Sequence, residues 1–562
     1  MAHRTVRPVC AAAIALAALA LSPGSARAHP ADCASAATLT SAPIAESFAD
    51  WTVDCTHVDA ARVADSDAQP AAGVSDGTEL ALASTTAQPA SLNVREQKTG
   101  ELTQVGHEPL MSRGMNAAIA VHGDYAYIGS RTDGGHENMP MGGVMVVDVS
   151  DPSDPALLGP PFDAKPGESS RELRVWRSQD MLIVLNTNCG VGELLHHCTI
   201  PSISNIRFYD IAGANATAPR LLYQFDVDTH EFFLWEDPAN PQRALIFAGN
   251  ASSTCGTRGG APSCPFSVWD ISPVRIGEPP VTLFSGLHGY TRYPPEPAAV
   301  QKPTGGLHSL TISNDGSRAY FALLTGGFGI VEVSEFAAGT PSPQPRPVTD
   351  NVSRPVWPGP GAHSAAKFWQ GDWAWVSDEV YGTATGPGHG CPWGWARMVD
   401  ISDPQAPTVE AEYRLPENDP STCADWNPPR TSYSAHNPTL TPHIAFSTWH
   451  SGGLQAVSIQ NPQTPYQLAE FMPEPLETVM LEDPRLSSDP DTGRNEKVVM
   501  WSYPIIKDGL IYVVDLRNGL YILKYRGAFE KEVQRIGFLD GNSNQGDALC
   551  YAPAGTAPDY CD

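Results

Sequence analysis

Four histidines occupy equivalent places in consecutive segments of the sequence, which suggests a shared chemical role. His308 and His363 each lie eleven residues before an alanine in an aromatic strand, and His230 and His436 fall at the same place once turns of different length are allowed for. Imidazole nitrogen is a good ligand for copper, iron, zinc and nickel. The spacing predicts a ring of histidines that binds a transition metal, with copper or iron favoured and zinc as the alternative. Inheritance of structural, hydrogen-bonded histidines with a repeat is the competing interpretation.

Other polar residues fall where they would reach the same region. His450 and, less strongly, His136 precede strands in loops, and we expect His450 to add a fifth metal ligand. Arg171 and Glu172 occupy the level of the histidine ring in another segment, where we expect them to orient a small substrate. The pair Asp378-Glu379 follows a predicted strand, and its carboxylates could orient a metal-bound histidine.

The elements that would position these residues repeat along the chain. Seven copies of a Val-Val-Asp-type strand return at intervals of about 63 residues, a period typical of stacked repeat units. Their anchor residues are Asp148, Asp210, Asp270, Glu332, Asp400, Ser458 and Lys524. Before several copies, an apolar strand, a tight Asp-Gly or Gly-Asp turn and an aromatic strand form a predicted hairpin.

This pattern predicts an all-β, seven-bladed β-propeller over residues 101–540. Four short strands per unit are typical of propeller blades, and the first strand of each blade lines the central channel. Equivalent histidines on neighbouring blades would therefore meet around one axis. Two segments compete to complete the last blade, residues 101–105 and residues 533–539, and the pattern does not decide between them.

The strands that carry the repeat resemble those of the LVIVD-repeat propeller family. The resemblance rests on residues 145–152 (MVVDVSDP) and 397–404 (RMVDISDP), with residues 455–462 (QAVSIQNP) as a weaker copy. It implies an exported or surface β-propeller and does not specify a reaction. A more distant likeness is to the propellers of selenium-binding proteins and methanethiol oxidases, which carry copper on histidines. Their cysteine motif does not occur in this sequence, so thiol oxidation is not carried over.

Composition excludes several classes of protein. The 562 residues include 49 Gly and 52 Pro, which disfavours a long helical array, and only 17% are charged. The net charge of −27 at pH 7 repels nucleic-acid phosphates and anionic lipids, so we expect no nucleic-acid partner. No segment has the length and apolarity of a membrane span. We also expect the protein to be a monomer.

The N-terminus and the cysteines predict an exported chain. Residues 1–28 have the basic start, apolar stretch and Ala26-Arg27-Ala28 site of a cleaved signal peptide, which predicts a secreted, periplasmic or cell-surface protein. Residues 29–100 have the composition of a low-complexity extension, and residues 541–562 form a tail. The ten cysteines beyond the signal favour local disulfides. The expected pairs are 33–55, 189–198, 255–264, 391–423 and 550–561.

Two functions from different classes remain open. The first is a metal-dependent oxidoreductase with the metal held by His230, His308, His363 and His436. The second is a noncatalytic binding propeller that engages a protein or glycan through its loop rims, where Trp393, Trp395 and Trp426 cluster in the sequence. Because one fold hosts both classes, the fold alone does not discriminate between them.

Overall fold

A computed structural model describes residues 99–131, 141–163, 165, 167–188, 203–251, 254–291, 305–357, 361–379, 394–419, 432–482 and 498–540. These residues form antiparallel β-sheets with few helical turns, which confirms the all-β class and gives a propeller-like arrangement. The predicted signal peptide, the predicted extension up to residue 98, the tail and His136 lie outside them. No helix within these ranges has the length and apolarity needed to span a membrane.

Strand β1 (Glu101–Glu108) precedes two sheets that are linked by one residue pair, Ser130 with Ser170. The first sheet contains β2 (Asn116–His122), β3 (Tyr125–Ser130), β4 (Met145–Asp148) and β5 (Ala156–Leu157). The second contains β6 (Glu168–Trp176), β7 (Met181–Asn188), β8 (Asn205–Asp210) and β9 (Arg220–Asp226). In each sheet the strands pair in chain order, as hairpin connections require.

Four further sheets repeat this four-stranded meander. The third contains β10 (Glu231–Glu236), β11 (Ala244–Gly249), β14 (Phe266–Asp270) and β15 (Val281–Gly286), with a separate hairpin of β12 (Gly256–Arg258) and β13 (Ala261–Ser263). The fourth contains β16 (Ser309–Ile312), β17 (Arg318–Ala322), β18 (Phe328–Glu332) and β19 (Arg346–Pro347). The fifth contains β20 (Ala362–Lys367), β21 (Trp373–Asp378), β22 (Ala396–Asp400) and β23 (Thr408–Tyr413). The sixth contains β24 (Ala435–Leu440), β25 (Ile444–Trp449), β26 (Gly453–Ser458) and β27 (Tyr466–Phe471).

The last sheet joins the two ends of the strand-forming region. It contains β28 (Ile505–Lys507), β29 (Leu510–Asp515), β30 (Gly519–Arg526), β31 (Phe538–Leu539) and β1 from the start of the chain. β1 pairs with β30, whereas β31 pairs with the opposite edge of the sheet at β28. The segment 101–105 therefore occupies the outer position for which the sequence offered two candidates.

Helical segments are short and lie between strands. Among the described residues, the α-helices are α1 (Ser334–Ala337) and α2 (Glu530–Arg535), and the 3-10 turns are Leu110–Ser112, Arg177–Gln179, Gly213–Ala216, Ser272–Ile276, Gly289–Thr291 and Pro416–Asn418.

The repeated acidic anchor has a local structural reason. β4, β8, β14, β18 and β22 each end at the predicted anchor residue. The carboxylate of Asp148 accepts a hydrogen bond from the backbone N–H of Ser150 at 2.9 Å, and Asp400 accepts one from Ser402 at 2.8 Å. Such an Asx-type turn replaces the ladder hydrogen bond and stops the strand.

The apolar core lies between consecutive sheets. Tyr127 of the first sheet packs in one cluster with Leu173 of the second, and Phe266 of the third packs with Phe321 of the fourth. Ile119 of the first sheet shares a cluster with residues of the last sheet, including Val514. The sheets therefore bury both faces against their neighbours, and the last sheet also packs on the first.

One of the predicted disulfides falls within the described residues. Cys255 and Cys264 are bonded, as expected from their spacing, and they staple the loop that carries β12 and β13. The pairs predicted at 33–55, 189–198, 391–423 and 550–561 lie outside the described residues.

Candidate functional site

The four histidines of the predicted ring all lie where the first strand of a sheet begins. His363 and His436 are the second residues of β20 and β24, and His230 and His308 immediately precede β10 and β16. The backbone N–H of His230 donates to Gly249, and that of His308 donates to Ala322, both at 2.9 Å. These bonds continue the strand pairing by one residue and fix the direction of each side chain.

The imidazoles form a continuous buried row, which we call the histidine row: His230, His308, His363, His436 and His450. Neighbouring ring centroids along it are separated by 4.3, 3.9, 4.4 and 5.2 Å. No member is more than 7% exposed. Residues separated by as many as 220 positions in the sequence thus meet in one place, as the repeat geometry requires.

Glu379, directly after β21, lies at the centre of the row. Its Oε2 is 3.0 Å from Nε2 of His363, whereas its Oε1 is 3.2 Å from Nε2 of His436 and 2.9 Å from Nε2 of His450. His450 follows β25, and its backbone N–H is bonded to Ser434. Sequence analysis assigned Glu379 an orienting role, but the carboxylate is near enough to the imidazoles to be a ligand itself.

A second carboxylate, Glu231, was missed by the sequence analysis. Its Oε1 is 3.7 Å from Nδ1 of His308 and 3.9 Å from Nε2 of His363, and the side chain is buried. The available signal was its position next to His230, but a single acidic residue in a strand has no periodic counterpart. Its burial beside two imidazoles became visible only in three dimensions.

The donor atoms fall into three overlapping groups. Within each, ligand atoms of all members lie within 4.8 Å of one another. The groups are His230 with Glu231 and His308, His308 with His363 and Glu379, and Glu379 with His436 and His450. This spacing is compatible with metal binding, and imidazole with carboxylate is a donor set that suits copper, iron and zinc.

Several of these buried atoms make no hydrogen bond. They include both oxygens of Glu379, both ring nitrogens of His363, and Nε2 of His436. The contact distances between them are short, yet the donor and acceptor directions do not meet hydrogen-bond geometry. Buried polar groups nearly always have hydrogen-bond partners. A set of buried polar atoms that converge without such partners is therefore typical of a ligand site. A metal ion fits such a site because it accepts one lone pair from each neutral imidazole and others from the carboxylate oxygens.

Burial and charge set the protonation of the site. Burial holds the pKa of His230, His308 and His436 well below the ordinary value. Burial also opposes the charged form of His363, but the Glu379 carboxylate raises the pKa of His363 above its ordinary value. Burial raises the pKa of Glu231 to about 7. Most of the row is therefore neutral at pH 7, the form that binds metals.

A hydrogen bond to a backbone carbonyl fixes the orientation of the His436 ring. Its Nδ1 lies 2.6 Å from the backbone carbonyl oxygen of Trp501, to which a ring N–H donates. That bond leaves the Nε2 lone pair directed at Glu379. Metal-bound histidines usually donate their other ring N–H to a backbone carbonyl or carboxylate in this way.

Basic side chains stack on the Trp501 ring beside the row. The guanidinium carbons of Arg131 and Arg171 lie 5.3 and 5.9 Å from its centroid, and both arginines are buried. The charge of Arg171 contributes to lowering the pKa of His230. Glu172, in contrast, is paired with Arg174 at 3.1 Å. Arg131 was not anticipated from the sequence, where it ends a strand without a motif.

Asp378 points away from the histidine row. Its carboxylate is bonded to Arg397 and accepts the indole N–H of Trp357 at 2.8 Å. Only Glu379 of the predicted acidic pair reaches the imidazoles.

The comparisons identify the repeat. Residues 113–160, which include the first sheet and its Asp148 anchor, match the LVIVD repeat family. The chain thus carries an LVIVD repeat, in agreement with the resemblance found in its sequence. Among curated proteins, none matches this chain.

Two solved structures are remotely similar to this chain. Sqt1 from Chaetomium thermophilum, bound to the N-terminus of the ribosomal protein L10, is 14% identical; the alignment covers 75% of this chain and 89% of that one, with a TM-score of 0.38. A hypothetical selenium-binding protein from Sulfolobus tokodaii is 12% identical over 54% of this chain and 66% of its own, with a TM-score of 0.36. We base no functional inference on either.

Proposed function

We propose that this protein is an exported, seven-bladed LVIVD-repeat propeller that binds a transition metal through the histidine row. The observation that carries the proposal is the convergence of buried imidazole and carboxylate atoms without hydrogen-bond partners around Glu379. The packing of the last sheet on the first supports a closed ring of blades. Export is supported by the sequence of residues 1–28 and by the Cys255–Cys264 disulfide, since disulfides persist in oxidising compartments.

The donor set favours copper or iron, with zinc as the alternative. Every candidate ligand is an imidazole nitrogen or a carboxylate oxygen, which suits these ions better than calcium or magnesium. Copper and iron would supply redox chemistry when bound, and this leads us to propose a metal-dependent oxidoreductase.

The basic residues beside the row would bind the substrate. Arg171, stacked on Trp501, is placed to orient a small molecule at the metal, whereas Glu172 is already engaged by Arg174 and would hold that neighbouring side chain in position. The metal ligands in this proposal are His230, His308, His363, His436 and His450, with Glu379 and Glu231 as carboxylate partners.

A noncatalytic binding propeller is the alternative, and one cluster of stacked aromatic and cationic side chains favours it. The guanidinium of Arg397 lies over the rings of Trp357 and Trp395 at 4.4 and 4.9 Å, and that of Arg414 lies over Trp395 at 3.8 Å. Arg397 is buried, whereas Trp357, Trp395 and Arg414 are partly exposed and present flat aromatic and cationic groups of the kind enriched at protein interfaces. The residues Trp393 and Trp426 lie outside the described part of the chain.

The metal content of the protein tests the proposal. Protein exported by its host and purified without a metal-binding tag should contain copper, iron or zinc in stoichiometric amount, and the H363A/H436A double variant should lose it. Because binding to the native state raises stability, restoring the metal should raise the melting temperature of the wild type and leave that of the variant unchanged. H443A, which removes a histidine paired with Glu532 elsewhere, is the control. Metal-free protein whose melting temperature no metal alters would contradict the proposal.

A further inference from the structure

We propose that the histidine row holds two metal ions bridged by the carboxylate of Glu379, an inference that rests on the proposed metal-binding function. One ion lies with His363 and His308, and the other lies with His436 and His450. The ligand class is a pair of divalent transition-metal ions rather than a single one.

The two oxygens of Glu379 face different imidazoles. Oε2 is 3.0 Å from Nε2 of His363, and Oε1 is 3.2 and 2.9 Å from Nε2 of His436 and His450. Two ligand atoms that are each about 2.0–2.1 Å from one ion are themselves about 3.0–3.4 Å apart. Each oxygen therefore has the separation from its own imidazoles that a shared ion produces, and the carboxylate spans two such positions.

The donors do not form a single group. His363 shares a group with His308 and Glu379, while His436 and His450 share another, and Glu379 is the member common to both. A mononuclear site would collect its imidazoles around one point. Here His436 and His450 do not belong to the group that contains His363 and His308, so that one ion would not reach both pairs of imidazoles. Ions of two-metal sites are typically about 3.5–4 Å apart, a distance that one carboxylate can bridge.

The burial of the bridging group supports this interpretation. Glu379 is 4% exposed, and neither of its oxygens makes a hydrogen bond. A buried carboxylate in that state is costly unless a cation compensates its charge. Glu231, whose Oε1 is 3.9 Å from Nε2 of His363, supplies a second carboxylate on the side of the first ion.

The test is a titration of metal-free protein with Cu²⁺, followed by desalting, elemental analysis and EPR spectroscopy. The wild type should retain two copper ions per chain, with a spin-coupled spectrum of reduced intensity. H363A and H436A should each retain one ion with the spectrum of isolated Cu²⁺. E379Q offers a single oxygen ligand in place of two, and it should lose the coupling. H443A should behave as the wild type, and circular dichroism should show that each variant is folded.

The outcomes separate the two proposals. One uncoupled ion per chain in the wild type, lost equally in H363A and H436A, would overturn the bridged pair and leave a mononuclear metal protein. Two ions that remain coupled in E379Q would also overturn the bridge. Absence of bound copper in all variants would instead refute the underlying metal-binding function.

Discussion

Two side chains of the histidine row, His363 and His436, have buried ring nitrogens that make no hydrogen bond. A structural imidazole usually gives and receives a hydrogen bond, whereas His363 makes none, although both carboxylates lie within 4 Å of it. His436 has one satisfied nitrogen, at Trp501, and one directed at Glu379. Histidines kept in the repeat only for structural reasons would not leave unbonded nitrogens that converge on one carboxylate. The contacts of these side chains therefore favour metal binding.

His288 provides a prediction at the residue scale that is independent of any metal. It packs against Phe321, and burial lowers its pKa from 6.5 to about 4. The neutral form of His288 is therefore favoured in the folded state. Its contribution to the free energy of unfolding is complete above pH 6.5 and is lost as the pH falls towards 4.

The variant H288F should remove this acid sensitivity. Between pH 7 and pH 4, we expect the free energy of unfolding of the wild type to fall by about 3 kcal/mol more than that of H288F. Urea denaturation of both proteins at each pH measures this difference. Parallel pH dependences for the two proteins would show that His288 does not titrate as the structure indicates.

At the scale of elements, the strand that carries His363 depends on a glycine. Gly361 has a φ of +88°, and a Cβ at this position would overlap the carbonyl oxygen of Leu324, which pairs with Ala362. Gly123 also has positive φ, at +56°, but no atom lies within 4 Å of its added Cβ. Both glycines have a positive φ, which residues other than glycine rarely adopt, but only Gly361 also lacks space for a Cβ.

Alanine at these two positions should therefore have unequal effects. We expect G361A to lower the free energy of unfolding by about 2–4 kcal/mol and to reduce metal retention, because β20 must move, whereas G123A should cost about 1 kcal/mol and leave metal retention unchanged. Chemical denaturation with elemental analysis measures both effects. Equal losses in the two variants would remove the steric argument.

The repeat period made two features predictable from the sequence: the strands, and the position of the histidines at the start of the first strand in four of the sheets. The acidic anchor residues end their strands, whereas Lys524 lies inside β30, and an Asp that caps a strand leaves a local signature in the sequence. Glu231 and Arg131 had no such signature, because their roles arise from burial between sheets. The outer strand of the last sheet was undecidable from the sequence for a related reason, since residues 101–105 and 533–539 both had strand character and only tertiary pairing distinguishes them.

At the scale of the whole molecule, β1 links the start of the described chain to its last sheet. It pairs with β30 from Glu101 to Glu108, and Leu102 is buried. A chain that begins at residue 109 would expose the edge of β30, and an unpaired edge strand promotes association.

We expect this truncation to lower the free energy of unfolding by at least about 2 kcal/mol, from the loss of Leu102 burial alone, relative to a chain that begins at residue 99. Denaturation and sedimentation measurements on the two chains would also show self-association of the shorter one. Equal stability and a monomeric state for both would mean that the last sheet does not need β1.

X-ray absorption spectroscopy of the bound metal tests the central claim most directly. For protein loaded in its native compartment, we predict a first shell of nitrogen and oxygen at about 2.0–2.2 Å, with the outer-shell scattering of at least two imidazoles per metal. That signal should disappear in H363A/H436A. A shell of oxygen alone, or no bound metal, would contradict the claim that the repeated blades assemble a histidine metal site.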